Sequence, residues 1–171
     1  RPPRVAVLIP ALDEEQSIGG VLDGLDRGLV AQVVVADNGS RDRTAEVARA
    51  HGAEVAHVPE RGYGAACLGA LARVRPEIDV VAFMDADGAD DPAELAALVE
   101  PIARGQADLV VGSRVLGRAE KGSLTPPQRF GNWLATRLIR LLHGHAYTDL
   151  GPFRAVRRST QMEVNAEATR A

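Results

Sequence analysis

Short runs of apolar residues alternate along the chain with longer stretches whose apolar positions recur at helical spacing. The apolar runs lack the polar residue at every second position that marks a half-exposed strand, so they are typical of strands buried on both faces. They cover residues 5–9, 33–36, 80–84 and 109–112, with a weaker run at 54–58. The helical stretches lie at about 14–27, 41–51, 63–74 and 92–104. This order predicts an α/β fold, with a Rossmann-like, mostly parallel sheet and helices on both faces.

The polar residues of this pattern lie mainly in the loops that follow the strands. In such a sheet, right-handed connections bring the carboxyl ends of the strands to one edge, and ligands bind outside that edge. The loops after the first, second, fourth and fifth strands contain residues 10–15, 37–40, 85–88 and 113–114. We therefore expect their side chains to converge on one site.

Composition narrows the class of protein. The 171 residues are 46% hydrophobic and 25% charged, which fits a folded domain rather than a disordered chain. The net charge of −3 gives no electrostatic basis for binding nucleic acid. The single cysteine, Cys67, excludes an internal disulfide and favours a reducing, cytoplasmic location. No apolar run approaches the ~20 residues that a membrane-spanning helix needs.

Asp85 and Asp87 stand two positions apart at the end of the fourth strand, a spacing that puts two side chains on one face. Two neighbouring carboxylates need solvent or a cation, and Mg²⁺ binds one or two carboxylates together with substrate phosphates. We therefore interpret the pair as a metal–diphosphate site. The alternative is an acidic loop that only caps a helix. That interpretation suits Asp91, which precedes Pro92 at a helix start.

The loops after the first two strands carry further candidates. Pro10 is expected to end the first strand, because it cannot donate a ladder hydrogen bond. Asp13 is expected to cap the next helix and Ser40 the one after it. Glu14 is left at the mouth of the site. Asp37 closes the second strand at what we expect to be a solvated end, where a carboxylate can accept hydrogen bonds from a ribose or a base.

Together these segments resemble glycosyltransferase family 2. The resemblance rests on Pro-Ala-Leu-Asp-Glu-Glu at 10–15, Asp-Asn-Gly-Ser-Arg-Asp-Arg-Thr at 37–44, Arg-Gly-Tyr-Gly-Ala-Ala at 61–66 and Asp-Ala-Asp-Gly at 85–88. It covers residues 4 to about 115. It implies the GT-A fold, a UDP- or GDP-sugar donor, Mg²⁺ or Mn²⁺, and inversion at the anomeric carbon.

The resemblance also implies roles for individual residues. Asp37 would hold the base of the nucleotide, Asp85 would lie near the ribose or the metal, and Asp87 would bind the metal. Gly64 would lie close to the nucleotide. The remaining positions implied to bind the nucleotide sugar are Pro10, Ala11, Leu12, Glu14, Asn38, Gly39 and Ala86.

Within the family, residues 85–92, 112–114 and 153–155 resemble polyprenyl-phosphate sugar synthases. That resemblance implies that Arg114 and Arg129 bind an acceptor phosphate. A phosphate oxygen is already anionic near neutral pH and needs no strong base. Transfer to a saccharide or a small-molecule hydroxyl would need one, and Asp149 and Glu163 are the late candidates. A non-catalytic domain that binds nucleotide sugars is the alternative of another class.

We expect one domain over 1–171, with a nucleotide-sugar and metal half at 1–115 and an acceptor half at 116–171. The stretch from Arg129 to His143 is predicted to form a basic amphipathic helix. Such a helix can pack on the sheet with a solvated basic face, or it can lie on a membrane surface. Helix-like sequence follows residues 159–160 without a loop, so we expect residues to be missing there and after 171. The absence of a G-x-G-x-x-G or similar phosphate loop after the first strand argues against a dehydrogenase or a sugar nucleotidyltransferase. The oligomeric state is left open.

Overall fold

The structure is a computed structural model that describes residues 1–112 and 153–162. Strands and helices alternate as the apolar pattern predicts. The strands are β1 (Val5–Ala11), β2 (Val30–Asp37), β3 (Glu54–His57), β4 (Val80–Phe83), β5 (Leu109–Val111) and β6 (Arg154–Arg157). The helices are α1 (Ile18–Asp23), α2 (Thr44–Ala50), α3 (Tyr63–Leu71) and α4 (Leu95–Ala103), which a 3₁₀ turn (Pro92–Glu94) precedes. Helical backbone at 158–162 follows β6 directly.

These strands form one sheet in the order β3-β2-β1-β4-β6-β5. The first four strands pair in parallel, whereas β6 lies antiparallel between β4 and β5. The prediction of a mostly parallel sheet is confirmed. The carboxyl ends of β1, β2, β3 and β4 therefore share one edge, which carries the site.

Both faces of the sheet are covered. On one face, alternate β1 residues such as Val7 and Ile9 pack with Ile18 and Leu22 of α1 and with α4. On the other, the intervening β1 residues pack with α3. Because β1 is buried on both sides, it has no polar position from Val5 to Ile9, and this explains its unbroken apolar run.

The first strand does not end at Pro10, as its sequence suggested. β1 continues to Ala11, with Pro10 opposite Ala36 of β2. The reason lies on the other side of β1. Pairing with β4 stops at Leu8, so the missing N–H of Pro10 faces a position beyond the ladder and costs no hydrogen bond.

The predicted helix starts are partly confirmed. Asp91 caps the 3₁₀ turn, because its carboxylate accepts a hydrogen bond from the Ala93 amide at 2.9 Å. Asp13 and Ser40 do not cap helices, since α1 begins only at Ile18 and α2 only at Thr44. Both residues instead tie two loops together, as described below. None of the helices in the described ranges is both long and apolar enough to span a bilayer.

Candidate functional site

A cavity of about 320 Å³ opens at the carboxyl edge of the sheet. Its walls come from the loops after β1, β2, β3 and β4. The predicted convergence is observed for the loops after β1, β2 and β4. The loop after β3 joins them, and residues 113–114 after β5 lie outside the described residues. The cavity is within the size range of small-molecule sites. Its lining residues are Pro10, Ala11, Leu12, Glu14, Asn38, Arg61, Gly62, Tyr63, Ala66, Asp85, Ala86 and Asp87.

Asp85 and Asp87 are the acidic pair of this cavity. The turn that carries them is held from within, because the Asp85 amide donates to buried Asp90 at 3.0 Å and the Ala89 amide donates to Asp87 Oδ1 at 2.9 Å. Gly88 completes the turn with a φ of +80°, which favours glycine. Asp90, five positions after Asp85 in the same turn, was not among the candidates that the sequence indicated.

The donor set suits a cation that arrives with its substrate. No group of three potential metal-binding side chains occurs in the described ranges, so the pair does not form a complete protein cage there. Mg²⁺ characteristically binds one or two carboxylates and completes its shell with substrate phosphates and water. Two carboxylates in an open cavity fit that pattern.

Glu14 is held in the cavity wall by contacts between the first two loops. The Glu14 amide donates to the buried Thr44 hydroxyl at 2.7 Å, and its carboxylate accepts from the Ser17 hydroxyl at 2.6 Å. Beside it, the Asp13 amide donates to the Ser40 hydroxyl at 3.0 Å, and Asp13 accepts from the Arg41 amide at 2.7 Å. Asp13 is therefore structural, as expected, but it joins loops instead of capping a helix.

The same contacts act on Asp42. Burial pushes the pKa of its carboxyl upward, but hydrogen bonds from the Thr44 hydroxyl and amide and from the Glu15 amide outweigh it and hold the pKa below its ordinary value. The folded arrangement of the two loops thus stabilises the charged form of the Asp42 carboxyl.

Asn38 connects the end of β2 to the turn before α3. Its side chain is buried and donates to the carbonyls of Val58 at 3.0 Å and Glu60 at 2.6 Å. The side-chain oxygen Oδ1 of Asn38 accepts from the Gly62 amide at 2.9 Å. Both N–H donors of the Asn38 side chain are thereby used. Asn38 therefore holds the glycine-rich turn in place beside the cavity.

Asp37 is buried, not solvated as the sequence suggested, because its side chain is only 8% exposed. One carboxylate oxygen accepts from the Ser40 amide at 3.1 Å, and the other lies 3.2 Å from Nδ1 of His57. Arg49 lies 2.8 Å from Nε2 of the same ring. Since arginine can only donate, the His57 proton is assigned to Nδ1, where it donates to Asp37. Asp37 is absent from the cavity wall formed by the described residues.

Tyr63 and Arg61 are wall residues that the sequence analysis did not select. Burial, and then the neighbouring Cys67 and Asp85 side chains, raise the pKa of the Tyr63 hydroxyl above its ordinary value, so the hydroxyl stays protonated. Burial also raises the pKa of Cys67. Arg154 stands near the same groups and stacks over Phe83 at 4.4 Å. Both residues lie in the segment 61–66, for which the family resemblance implies a role only for Gly64.

The other candidate residues divide into two sets. Gly39 forms the expected tight turn with a φ of +88°, and Gly64 lies in the first turn of α3 with open space where a Cβ would stand. Pro10, Ala11, Leu12 and Ala86 line the cavity. The acceptor-side candidates lie outside the described residues; they are Arg114, Arg129, Asp149 and Glu163.

The fold and cavity define an α/β protein with a ligand site at the carboxyl edge of a mostly parallel sheet. Residues 6–163 match the family model of glycosyl transferase family 2, and the chain belongs to that family. It is 39% identical over 162 residues to an uncharacterized glycosyltransferase of Mycobacterium tuberculosis, covering 94% of this chain and 70% of the relative. It is 36% identical to a dolichyl-phosphate hexose transferase of Haloferax volcanii, covering 85% of this chain and 62% of that protein.

Among solved structures, it resembles glucosyl-3-phosphoglycerate synthase of Mycobacterium tuberculosis in complex with Mn²⁺, UDP and glucosyl-3-phosphoglycerate. The TM-score is 0.72 at 27% identity, over 92% of this chain and 57% of the synthase. The fold is therefore GT-A, as the resemblance implied. The chain spans little more than half the length of that synthase.

Proposed function

We propose that this protein transfers a sugar from a nucleotide-diphosphate sugar to an acceptor, with inversion at the anomeric carbon. The observation that carries this proposal is the cavity in which Asp85 and Asp87 share the wall with the glycine-rich turn and the apolar segment 10–12. The solved complex of the mycobacterial synthase with Mn²⁺ and UDP supports a UDP-sugar and a divalent metal here. A GDP-sugar is the alternative donor.

Asp87, with Asp85 beside it, would hold Mg²⁺ or Mn²⁺ against the diphosphate. The metal would neutralise the leaving diphosphate as a Lewis acid. The chain's own residues bind and orient the donor. The apolar residues Pro10, Ala11 and Leu12 shield the nucleotide from water, and Glu14 is fixed at its side by Ser17 and Thr44.

We take the acceptor to be a polyprenyl phosphate. The Haloferax volcanii relative is named for a dolichyl-phosphate substrate, which supports this choice. Arg114 and Arg129 would bind the acceptor phosphate through paired charge-assisted hydrogen bonds. The amphipathic stretch from Arg129 to His143 would lie on the inner face of a membrane, from the cytoplasmic side.

A small-molecule or saccharide hydroxyl is the second candidate acceptor. It is supported by the glucosyl-3-phosphoglycerate in the synthase complex. A hydroxyl must lose its proton during attack, so this reaction needs a base. Asp149 or Glu163 would then have that role.

The donor site is tested by thermal unfolding with UDP or GDP, with and without Mn²⁺. Ligand at a hundredfold excess over Kd should raise Tm by roughly 5–10 °C for a chain of this size. Asp87→Asn should lose the metal-dependent part of the shift and all transfer. Asp91→Asn is the matched control, because it removes the same charge four positions away while asparagine still caps the turn. A shift that is independent of metal, or unchanged in Asp87→Asn, would contradict the metal assignment.

The acceptor is tested by following transfer to a short-chain polyprenyl phosphate, to phosphoglyceric acid and to a neutral glycoside. We expect transfer to the polyprenyl phosphate, and a loss of at least tenfold in kcat/KM in Arg114→Ala with donor affinity unchanged. Arg104→Ala removes an arginine paired with Glu100 on α4 and is the control. Transfer to the glycoside alone would turn attention to Asp149 and Glu163. Donor binding without transfer to any acceptor would favour the non-catalytic alternative.

A further inference from the structure

Arg61 is an arginine at the cavity wall whose guanidinium has no partner in the described part of the chain. Several other arginines among the described residues, in contrast, pair with carboxylates of the fold. Those pairs are Arg1–Asp79, Arg43–Glu15, Arg75–Glu54, Arg104–Glu100 and Arg157–Asp108. Arg61 shares its cavity with three carboxylates and pairs with none of them.

The balance of charge in the cavity indicates what the unpaired Arg61 guanidinium can bind. The described wall carries the carboxylates Glu14, Asp85 and Asp87 and a single guanidinium, that of Arg61. Arg154, although close to Tyr63, stacks on Phe83 and is not part of the described wall. A nucleoside diphosphate entering this cavity would bring two or more negative charges of its own. A metal at the carboxylates offsets part of that repulsion, and a guanidinium in the same cavity can offset more.

The backbone that presents Arg61 is held in place. Asn38 fixes the carbonyl of Glu60 on one side of Arg61 and the amide of Gly62 on the other. Gly62 adopts a φ of +121°, a conformation that other residues rarely adopt, and then starts α3. The position of the Arg61 backbone is thus set before any ligand arrives, so only the side chain must be ordered on binding.

We propose that the Arg61 guanidinium binds the diphosphate of the nucleotide-sugar donor, in addition to the metal held by the Asp85–Asp87 pair. This inference rests on the proposed function, because it assigns a further residue to the same donor site. A planar guanidinium can donate two parallel hydrogen bonds to phosphate oxygens, which a lysine ammonium cannot do. Arg61 therefore distinguishes a nucleoside diphosphate from a nucleoside that carries the same base.

The test compares UDP with uridine, and GDP with guanosine, in the presence of Mn²⁺. Calorimetry gives Kd for the diphosphates, and competition against the diphosphate gives it for the weaker nucleosides. Arg61→Ala should raise Kd for the diphosphate by tenfold or more and leave the nucleoside within twofold. Arg61→Lys should lie between Arg61→Ala and wild type. Arg73→Ala, an exposed arginine just after α3, should match wild type for both ligands.

Each alternative result has one meaning. An equal loss for diphosphate and nucleoside in Arg61→Ala would put the contact on the base or ribose and overturn the inference. An unchanged Kd for the diphosphate would overturn it as well. In both cases wild type still binds a diphosphate with metal, so the proposed function stands. If wild type binds neither UDP nor GDP with Mn²⁺ or Mg²⁺, the proposed function fails and this inference fails with it.

Discussion

At the scale of single residues, several side chains that the sequence marks as ligand contacts or as helix caps hold the loops of the site in place. Asn38 uses both of its donors on the turn before α3, and Asp37 is engaged by Ser40 and His57. Asp13 and Ser40 join the first two loops. Such residues place the cavity wall, and their substitution should therefore affect stability and donor affinity together.

Asn38→Asp is the sharpest test of this view. Aspartate has nearly the same shape, but it would turn acceptor oxygens toward the carbonyls of Val58 and Glu60 in a buried position. Leaving the buried Val58 carbonyl without its donor costs about 1–3 kcal/mol, and the lost, half-buried contact to Glu60 and a buried unpaired charge add to the loss. We expect Asn38→Asp to lower the free energy of unfolding in urea by more than Asn38→Ala does. Donor binding should weaken in both variants. Equal stability of Asn38→Asp and wild type would show that the amide does not hold the turn.

At the scale of helices and strands, contacts between elements set where α3 lies on the sheet. Gly69 of α3 faces Val58 just after β3, and a Cβ at Gly69 would stand 2.3 Å from a Val58 methyl group. Gly20 of α1 is exposed, and a Cβ added there would meet no atom within 4 Å. Close packing against Val58 therefore requires a glycine at position 69. Neither packing nor turn geometry requires one at position 20.

Substitution by alanine should change stability in opposite directions at these two glycines. Gly20→Ala should raise the free energy of unfolding by about 0.5–1 kcal/mol, because alanine favours the helix. Gly69→Ala gains the same propensity but must displace a buried β-branched side chain, and overpacking typically costs about 1–3 kcal/mol. Chemical denaturation measures both variants. Adding Val58→Ala should recover part of the loss in Gly69→Ala, and a failure to recover would place the strain elsewhere.

At the scale of the whole molecule, one end of the strands forms the ligand site and the other end is held by contacts between strands. The carboxyl edge carries the cavity, whereas the opposite edge is tied by Asp79. The Asp79 carboxylate accepts from the Arg4 amide at 2.8 Å, and its backbone carbonyl accepts from the Arg158 amide at 3.0 Å. Asp79 thus joins the start of β1 and the residue after β6 to the start of β4.

This arrangement predicts a dependence of stability on acid. The Arg4 amide, and then the Arg1 guanidinium, hold the pKa of Asp79 below its ordinary value of 3.8. The unfolded chain then binds this proton more readily than the folded one, so the stabilising effect is present above that ordinary value and is lost as pH falls through the lower folded pKa. Urea unfolding between pH 7 and pH 3 should show a smaller acid loss in Asp79→Asn than in wild type. Glu77→Gln, in an exposed carboxylate, should show the wild-type loss; a parallel response in both variants would contradict the assignment.

The sequence by itself determined the order of strands and helices, the mostly parallel sheet and the edge at which the site lies. It did so because apolar periodicity is a local property and because parallel connections leave little choice of edge. It also selected Asp85 and Asp87 and the apolar segment 10–12, all of which line the cavity. The cap at Asp91 could be predicted for the same reason, since its partner Ala93 is only two positions away.

Only the tertiary structure decided how distant segments meet. Pro10 stays in β1 because β4 pairs no further than Leu8. Asp13 bonds to Ser40, which is 27 positions along the chain, and Asn38 bonds to Glu60, which is 22 positions along. A carboxylate or amide that can cap a helix locally will instead bond a loop that folding brings closer, and no local pattern records that choice. Arg61 and Tyr63 become wall residues for the same reason: Asn38 holds their turn against the edge of the sheet.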